Sequence, residues 1–184
     1  IDGAYGGFVY PFSNEKSEIN FSNPKISSIT IDAHKMLQAP YGTGVFICRK
    51  GLIENVLTKE AEYVEGMDLT LCGSRSGANA VAVWMILFTY GPYAWYEKIS
   101  ILMMRTQFLT KELDALGIEY YNCPFMNIVT IKAEFVPENI AHKFGLVPQQ
   151  HNENNKWYKI VLMDHVEVEH LTNFIDEMKA SKNG

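Results

Sequence analysis

Residues 27–46, SSITIDAHKMLQAPYGTGVF, decide how the chain is read. The run leading into them, KISSITI (25–31), alternates and is β-branched, which predicts a strand with Ser27, Ile29 and Ile31 on one face. Asp32, His34 and Lys35 follow at the strand's end, before a loop rich in Pro and Gly. A His-Lys pair in such a place is commonly a solvated surface feature. It is also where a reactive amine would be held rigidly against a carbonyl.

Working outward, GTGVFICRK (42–50) reads as a second strand and residues 51–59 as a short helix. IDGAYGGFVYPF (1–12) reads as a strand end running into a glycine-rich turn. In TLCGSRSGANAVAVWMILFTYGP (70–92), Gly73, Ser74, Ser76 and Gly77 lead into an apolar helix that Gly91-Pro92 terminates. A longer helix is predicted over 93–116. There Trp95, Ile99, Leu102, Thr106, Leu109, Leu113 and Leu116 recur at steps of four and three, giving one buried face, and Gly117 stands at the C-cap. The Met and Trp residues around 84–104 read as core. Beyond Gly117 the rhythm is strand, strand, helix (137–144), strand, strand, helix (166–179), an α+β lobe unlike the α/β texture before it. Two domains are expected, 1–92 and 93–184.

The 184 residues carry 16 Lys+Arg against 21 Asp+Glu, a net charge of −5, with no basic stripe, so nucleic acid is not an expected partner. Cys48, Cys72 and Cys123 are odd in number and form no CxxC, as expected of reduced thiols in the cytoplasm. The longest apolar run, AVAVWMILF (80–88), is too short to span a bilayer, and no membrane partner is expected.

Three features converge chemically. Lys35 is a candidate Schiff-base lysine. Asp2, at a strand end, is placed to keep a heteroaromatic nitrogen protonated. GSRSG (73–77) opens a helix, so its N–H groups and hydroxyls suit a phosphate. A lysine, an acid and an anion cradle are what pyridoxal 5'-phosphate requires. Each alone has a plain reading: a surface pair, a turn former or cap, a flexible helix start.

Taken in order, IDGAYGGFVYPF, the Ser28-x6-Lys35 spacing with His34 before the lysine, and GSRSG resemble the group II pyridoxal-phosphate-dependent amino-acid decarboxylases. The likeness is nearest to the archaeal tyrosine/aspartate decarboxylase branch, with glutamate decarboxylase and sphingosine-phosphate lyase as relatives. It extends to YKIVLMDHVEVEHLTNFIDEM (158–178). The resemblance implies an α/β chain that is the C-terminal part of a fold-type I, PLP-dependent transferase-like fold. This would be the end of the large, mostly parallel sheet domain plus a small α+β domain. It implies Lys35 as the cofactor lysine, Asp2 on the pyridine nitrogen, Ala4 against the ring and His34 near the phosphate. Ser74 would reach the phosphate of a neighbouring subunit in a homodimer with shared active sites, and Tyr41, in the loop 39–44, would border the substrate. The implied reaction converts an L-amino acid to its amine and CO2. A carbon–carbon lyase and a non-catalytic assembly partner are the alternatives.

Two departures stand out. Relatives commonly carry an Arg in the YKIVLM strand as a substrate-carboxylate ligand, where this chain has Lys159, which keeps the charge but not the bidentate fork. Lys159 reads equally as a solvated strand residue. The chain also begins at the Asp2 strand, so an N-terminal half is expected to come from a longer protein or a complementary chain. No metal is expected: His165 and His170 have poor helical spacing for a shared ion, and His142 and His151 read as solvated. Tyr5, Tyr10, Tyr41 and Tyr63 read chiefly as packing residues.

Overall fold

Alternation of β-branched residues produces β1 (Ser28–Asp32), and the following Gly/Thr-rich loop returns the chain as β2 (Gly44–Cys48). The two pair antiparallel from Ser28↔Cys48 to Asp32↔Gly44. The computed structural model describes residues 1–56, 69, 74–151 and 155–183. The chain divides into two compact units, Ile1–Tyr93 and Ala94–Gly184.

In the first unit, residues 1–4 run parallel along the other edge of β1. Thr30 N–H donates to the Ile1 carbonyl (3.0 Å), Gly3 N–H to the Thr30 carbonyl (2.9 Å) and Asp32 N–H to the Ala4 carbonyl (3.0 Å). A 3-10 turn (Gly6–Phe8) and α1 (Tyr10–Ser13) follow, anchored by the fully buried Val9. Arg49, just past β2, donates to the carbonyls of Ile26 (2.7 Å), Phe21 (2.9 Å) and Asn23 (2.7 Å), fixing the segment that enters β1. The helix expected over 51–59 is a 3-10 turn at Ile53–Val56, and residues 57–59 lie outside the described residues.

The long helical run α2 (Gly77–Ala115) is interrupted at Gly91, whose φ of 61° and ψ of 178° are not helical, with Pro92 next. The two-helix reading therefore holds, for the reason given by the sequence: Gly tolerates the left-handed region and Pro lacks the N–H to continue the ladder. The predicted stripe is buried at Trp95, Ile99, Leu102, Thr106, Leu109 and Leu113.

The reading of the Met/Trp region as core needs correction. Trp95 is buried, but Trp84 (60% exposed), Met85 and Met104 are not. Trp84, Met85 and Phe88 share a helix face that stays open, with Trp84 stacked on Phe88 at 5.1 Å. Met104 follows Leu102 by two residues, which turns it away from the buried stripe. No helix among the described residues is long and apolar enough to cross a membrane.

The second unit holds a four-stranded antiparallel sheet in the order β3 (Tyr120–Asn122), β4 (Ile128–Lys132), β6 (Trp157–Val161), β5 (Val147–Pro148). Alternation in β4 buries Val129 and Ile131. They pack with Leu109 and Leu113 of α2 and with Leu171, Phe174, Ile175 and Met178, which form one face of α4 (Val168–Asn183). Asn127 pins the sheet's end: its Nδ2 donates to the Leu162 carbonyl and its own carbonyl accepts from Leu162 N–H, both at 2.9 Å.

Gly117 (φ 62°) closes α2 as a Schellman cap, with Ile118 N–H on the Leu113 carbonyl and Gly117 N–H on the Asp114 carbonyl, both 3.0 Å. Gly145 (φ 63°) does the same for α3 (Glu138–Lys143). Arg105 Nη1 donates to the Asp164 and Val166 carbonyls (3.0 Å each), tying the turn after β6 to α2. Burial, helped by the Asp114 carboxylate, pushes the Tyr120 hydroxyl pKa up.

Leu113 serves both the cap and the core. Leu113→Ala should therefore cost about 2–5 kcal/mol, read as a lowered denaturation midpoint followed by a probe in the second unit.

Candidate active site

The turn after β1 is shaped by what it buries. Ala33, Met36, Leu37 and Ala39 are nearly inaccessible, while Asp32 and His34 beside them are half-buried and Lys35 is exposed. Backbone bonds close the turn: Lys35 N–H to the Asp32 carbonyl (3.0 Å), Ala39 N–H to the Ala33 carbonyl (3.0 Å) and Ala33 N–H to the Thr43 carbonyl (2.8 Å). Apolar anchors and a hydrogen-bonded frame hold three polar side chains in one place.

Lys35 is not buried; its side chain is 41% exposed, and an ion pair with Asp32 Oδ2 at 2.9 Å holds it. The same oxygen lies 3.9 Å from His34 Nε2. The sequence reading named Asp32 but gave it no role. The available signal was its i, i+3 spacing to Lys35, which becomes a contact only because the strand ends there in a tight turn. His34 Nδ1 is buried and has no hydrogen-bond partner among the described residues. The Tyr41 ring lies 5.1 Å from that of His34. At 89% exposure Tyr41 is not the packing residue the sequence led us to expect, since it sits at the outermost point of the loop rather than on its anchored stems. Tyr5 and Tyr10 are half-buried, and Tyr63 lies outside the described residues.

Asp2 and Ala4 belong to the segment beside β1. The Ala4 carbonyl accepts Asp32 N–H, while Ala4 N–H donates to Asp2 Oδ1 at 3.0 Å and orients that carboxylate. Asp2 bridges Thr30 in the middle of β1, and Lys35 follows just past the carboxyl end of that strand. Gly3 makes the approach possible: a Cβ there would lie 2.9 Å from the Thr30 carbonyl oxygen and 3.1 Å from the Gly7 backbone.

The helix start is tied to this region through Asn79, whose N–H donates to Ser76 Oγ (3.3 Å) and whose Nδ2 donates to the Tyr41 carbonyl (3.3 Å). Ser74 is exposed just before that helix, and Gly73 lies outside the described residues. The structure therefore brings together Asp2, Ala4, Asp32, His34, Lys35 and Tyr41.

Lys159 belongs to the second unit. On β6 it pairs with Thr130 and Val147 and lines an open cavity of about 500 Å³ with Phe144, Leu146, Val161 and His170. His165 and His170 are exposed, as are His142 and His151.

The donor set suits pyridoxal phosphate. It offers an outward amine, an oriented carboxylate on the neighbouring segment, and a buried imidazole nitrogen with no protein partner.

No family model matches the chain. It is 55% identical over 179 residues to a tryptophan decarboxylase of Clostridium sporogenes, covering 97% of this chain and 43% of that protein. It is 32% identical over 200 residues to a probable L-tyrosine/L-aspartate decarboxylase of Methanococcus maripaludis, covering 99% of this chain and 50% of the relative. The tryptophan decarboxylase is thus more similar than this member of the archaeal branch. The fold matches a sphingosine-1-phosphate lyase of Burkholderia pseudomallei (TM-score 0.81, 17% identity, 99% of this chain and 44% of that one). It also matches a glutamate decarboxylase of Lactobacillus brevis (TM-score 0.78, 17% identity, 99% and 46%).

The chain spans about half the length of the curated relatives it matches. Its fold is that of the C-terminal part of the fold-type I decarboxylases. The amino-acid decarboxylases among these relatives are pyridoxal-phosphate-dependent carboxy-lyases.

Gly3→Ala should force the first segment away from β1. A loss of about 1–3 kcal/mol in stability, read as a lowered denaturation midpoint, is expected, the scale of overpacking a tight contact.

Proposed function

We propose that this chain is the lysine-bearing part of a pyridoxal-phosphate-dependent decarboxylase acting on an aromatic L-amino acid, tryptophan foremost. In this reading residues 1–92 carry the cofactor-binding end of the large domain and residues 93–184 the small domain. One observation carries the proposal: the hydrogen bond between Asp32 N–H and the Ala4 carbonyl joins the Lys35 turn to the segment that bears Asp2. The 55% identity to a tryptophan decarboxylase supports the choice of substrate.

Pyridoxal phosphate, when bound, supplies an electron sink for the pair left behind as CO2 departs. Lys35 would hold the cofactor through Nζ, the outward amine at the end of β1. Asp2, oriented by Ala4 N–H, would accept the pyridine N–H and keep that nitrogen protonated, which would preserve the sink. Ala4 packs against the ring. His34 would face the phosphate through Nδ1, which has no hydrogen-bond partner among the described residues. Ser74 reaches a phosphate from a neighbouring subunit, so the working unit is a homodimer, or this chain with a complementary N-terminal one. Tyr41, exposed at the outermost point of its loop, would border the aromatic substrate. The free thiols of Cys48 and Cys123 fit a cytoplasmic enzyme, and Cys72 lies outside the described residues.

The test uses the whole protein with pyridoxal phosphate, borohydride reduction and peptide mapping, followed by product analysis with L-tryptophan. The expected results are an adduct on Lys35, release of CO2 and tryptamine, and loss of both adduct and activity in Lys35→Ala. Asp2→Asn should keep the adduct and lower turnover about a hundredfold, the scale of losing one electrostatic stabiliser. An adduct scattered over other lysines would overturn the reading, and an aldehyde product would replace it with carbon–carbon cleavage.

A further inference from the structure

We infer that Asp32 is a positioning residue that receives the Lys35 amine whenever that amine is not covalently engaged. The inference rests on the reading of Lys35 as the cofactor-holding lysine, and the Asp32 carboxylate has no role in that reading.

The carboxylate stands on the fixed side of the pair. Asp32 is the last residue of β1, and its backbone is bonded both ways: its N–H donates to the Ala4 carbonyl and its carbonyl accepts Lys35 N–H, each at 3.0 Å. Lys35 stands on the movable side, with a long side chain of many rotamers. A free ammonium at this position would sample them all, and each return to a carbonyl carbon would require a search. The Asp32 Oδ2 contact at 2.9 Å reduces the search to one location at the strand end, beside the segment that carries Asp2.

The pair is also weak enough to release. Its side chains are 41% and 29% exposed, so water competes for both charges. A fully buried pair would bind the amine too tightly to let it go. An amine engaged by a carboxylate must leave that contact before it can attack a reagent, so the contact should show itself as protection.

The whole protein, freed of pyridoxal phosphate, is treated with limiting acetic anhydride, and acetylation of each lysine is measured by peptide mass spectrometry, with Lys16 and Lys50 as internal references. In Asp32→Asn, Lys35 should be acetylated about two- to fivefold faster relative to those references, the range expected of a partly exposed ion pair. Asp32→Glu should return the protection, and both variants should melt with the wild type. Equal Lys35 rates in wild type and Asp32→Asn would overturn the inference. So would acceleration in Asp32→Glu equal to that in Asp32→Asn, because loss of local packing rather than of charge would then be the cause.

Pyridoxal phosphate with borohydride, applied to the wild type in parallel, judges the earlier reading separately. Absence of label at Lys35 alongside a two- to fivefold acetylation difference would remove the cofactor assignment while leaving the Asp32–Lys35 pair standing.

Discussion

Everything proposed for the first unit depends on β1 being hydrogen-bonded along both edges. On one side β2 runs antiparallel to it, and on the other residues 1–4 run parallel, with Gly3 pressed against the Thr30 carbonyl. A strand paired on one edge only could shift or twist, and the turn at its end would move with it. Paired on both, it fixes the Cα of Asp32, and the buried Ala33, Met36 and Leu37 fix the turn beyond. The polar side chains between those anchors have few places to go. Chemistry is thus displayed on the outside of a loop whose inside is packed apolar core.

What the sequence made legible, and what it did not, follows the range of the forces involved. Periodicity is local, so β1, β2, the buried stripe from Trp95 to Leu113 and the strands and helices after Gly117 were readable. The break at Gly91-Pro92 was readable for the same reason, since both residues act on their own backbone. Exposure is not local. Trp84, Met85 and Met104 look like core by composition, yet the helix turns them away from the packed face. Tyr41 was misjudged in the same way, because a loop's outermost point cannot be told from its stem without the fold. At the candidate site, the residue types and their order were legible in the motifs. The Asp32–Lys35 contact and the Ala4–Asp32 link were not, because each needs a register or a turn that only the folded backbone supplies.

The second unit works by a different logic. Its sheet is wholly antiparallel and its core is assembled from α2, β4, β6 and α4 around residues such as Val129, Ile131 and Phe174. Glycines 117 and 145 end their helices sharply, so that strands follow within a few residues. Lys159 owes its position to register alone: paired with Thr130 on one side and Val147 on the other, it alternates with the buried Ile160 and so reaches the opposite face. A strand slipped by one residue would bury the ammonium and expose the isoleucine.

Arg49 gives the first unit an unequal response to ionic strength. Three carbonyl oxygens receive its N–H groups, and these short charge–dipole contacts are directional hydrogen bonds. The Asp32–Lys35 contact joins two partly exposed charges, which dissolved ions screen readily. Rising salt therefore loosens the amine at the end of β1 while the segment feeding that strand stays clamped. The medium can change how freely the lysine moves without disturbing the scaffold that presents it.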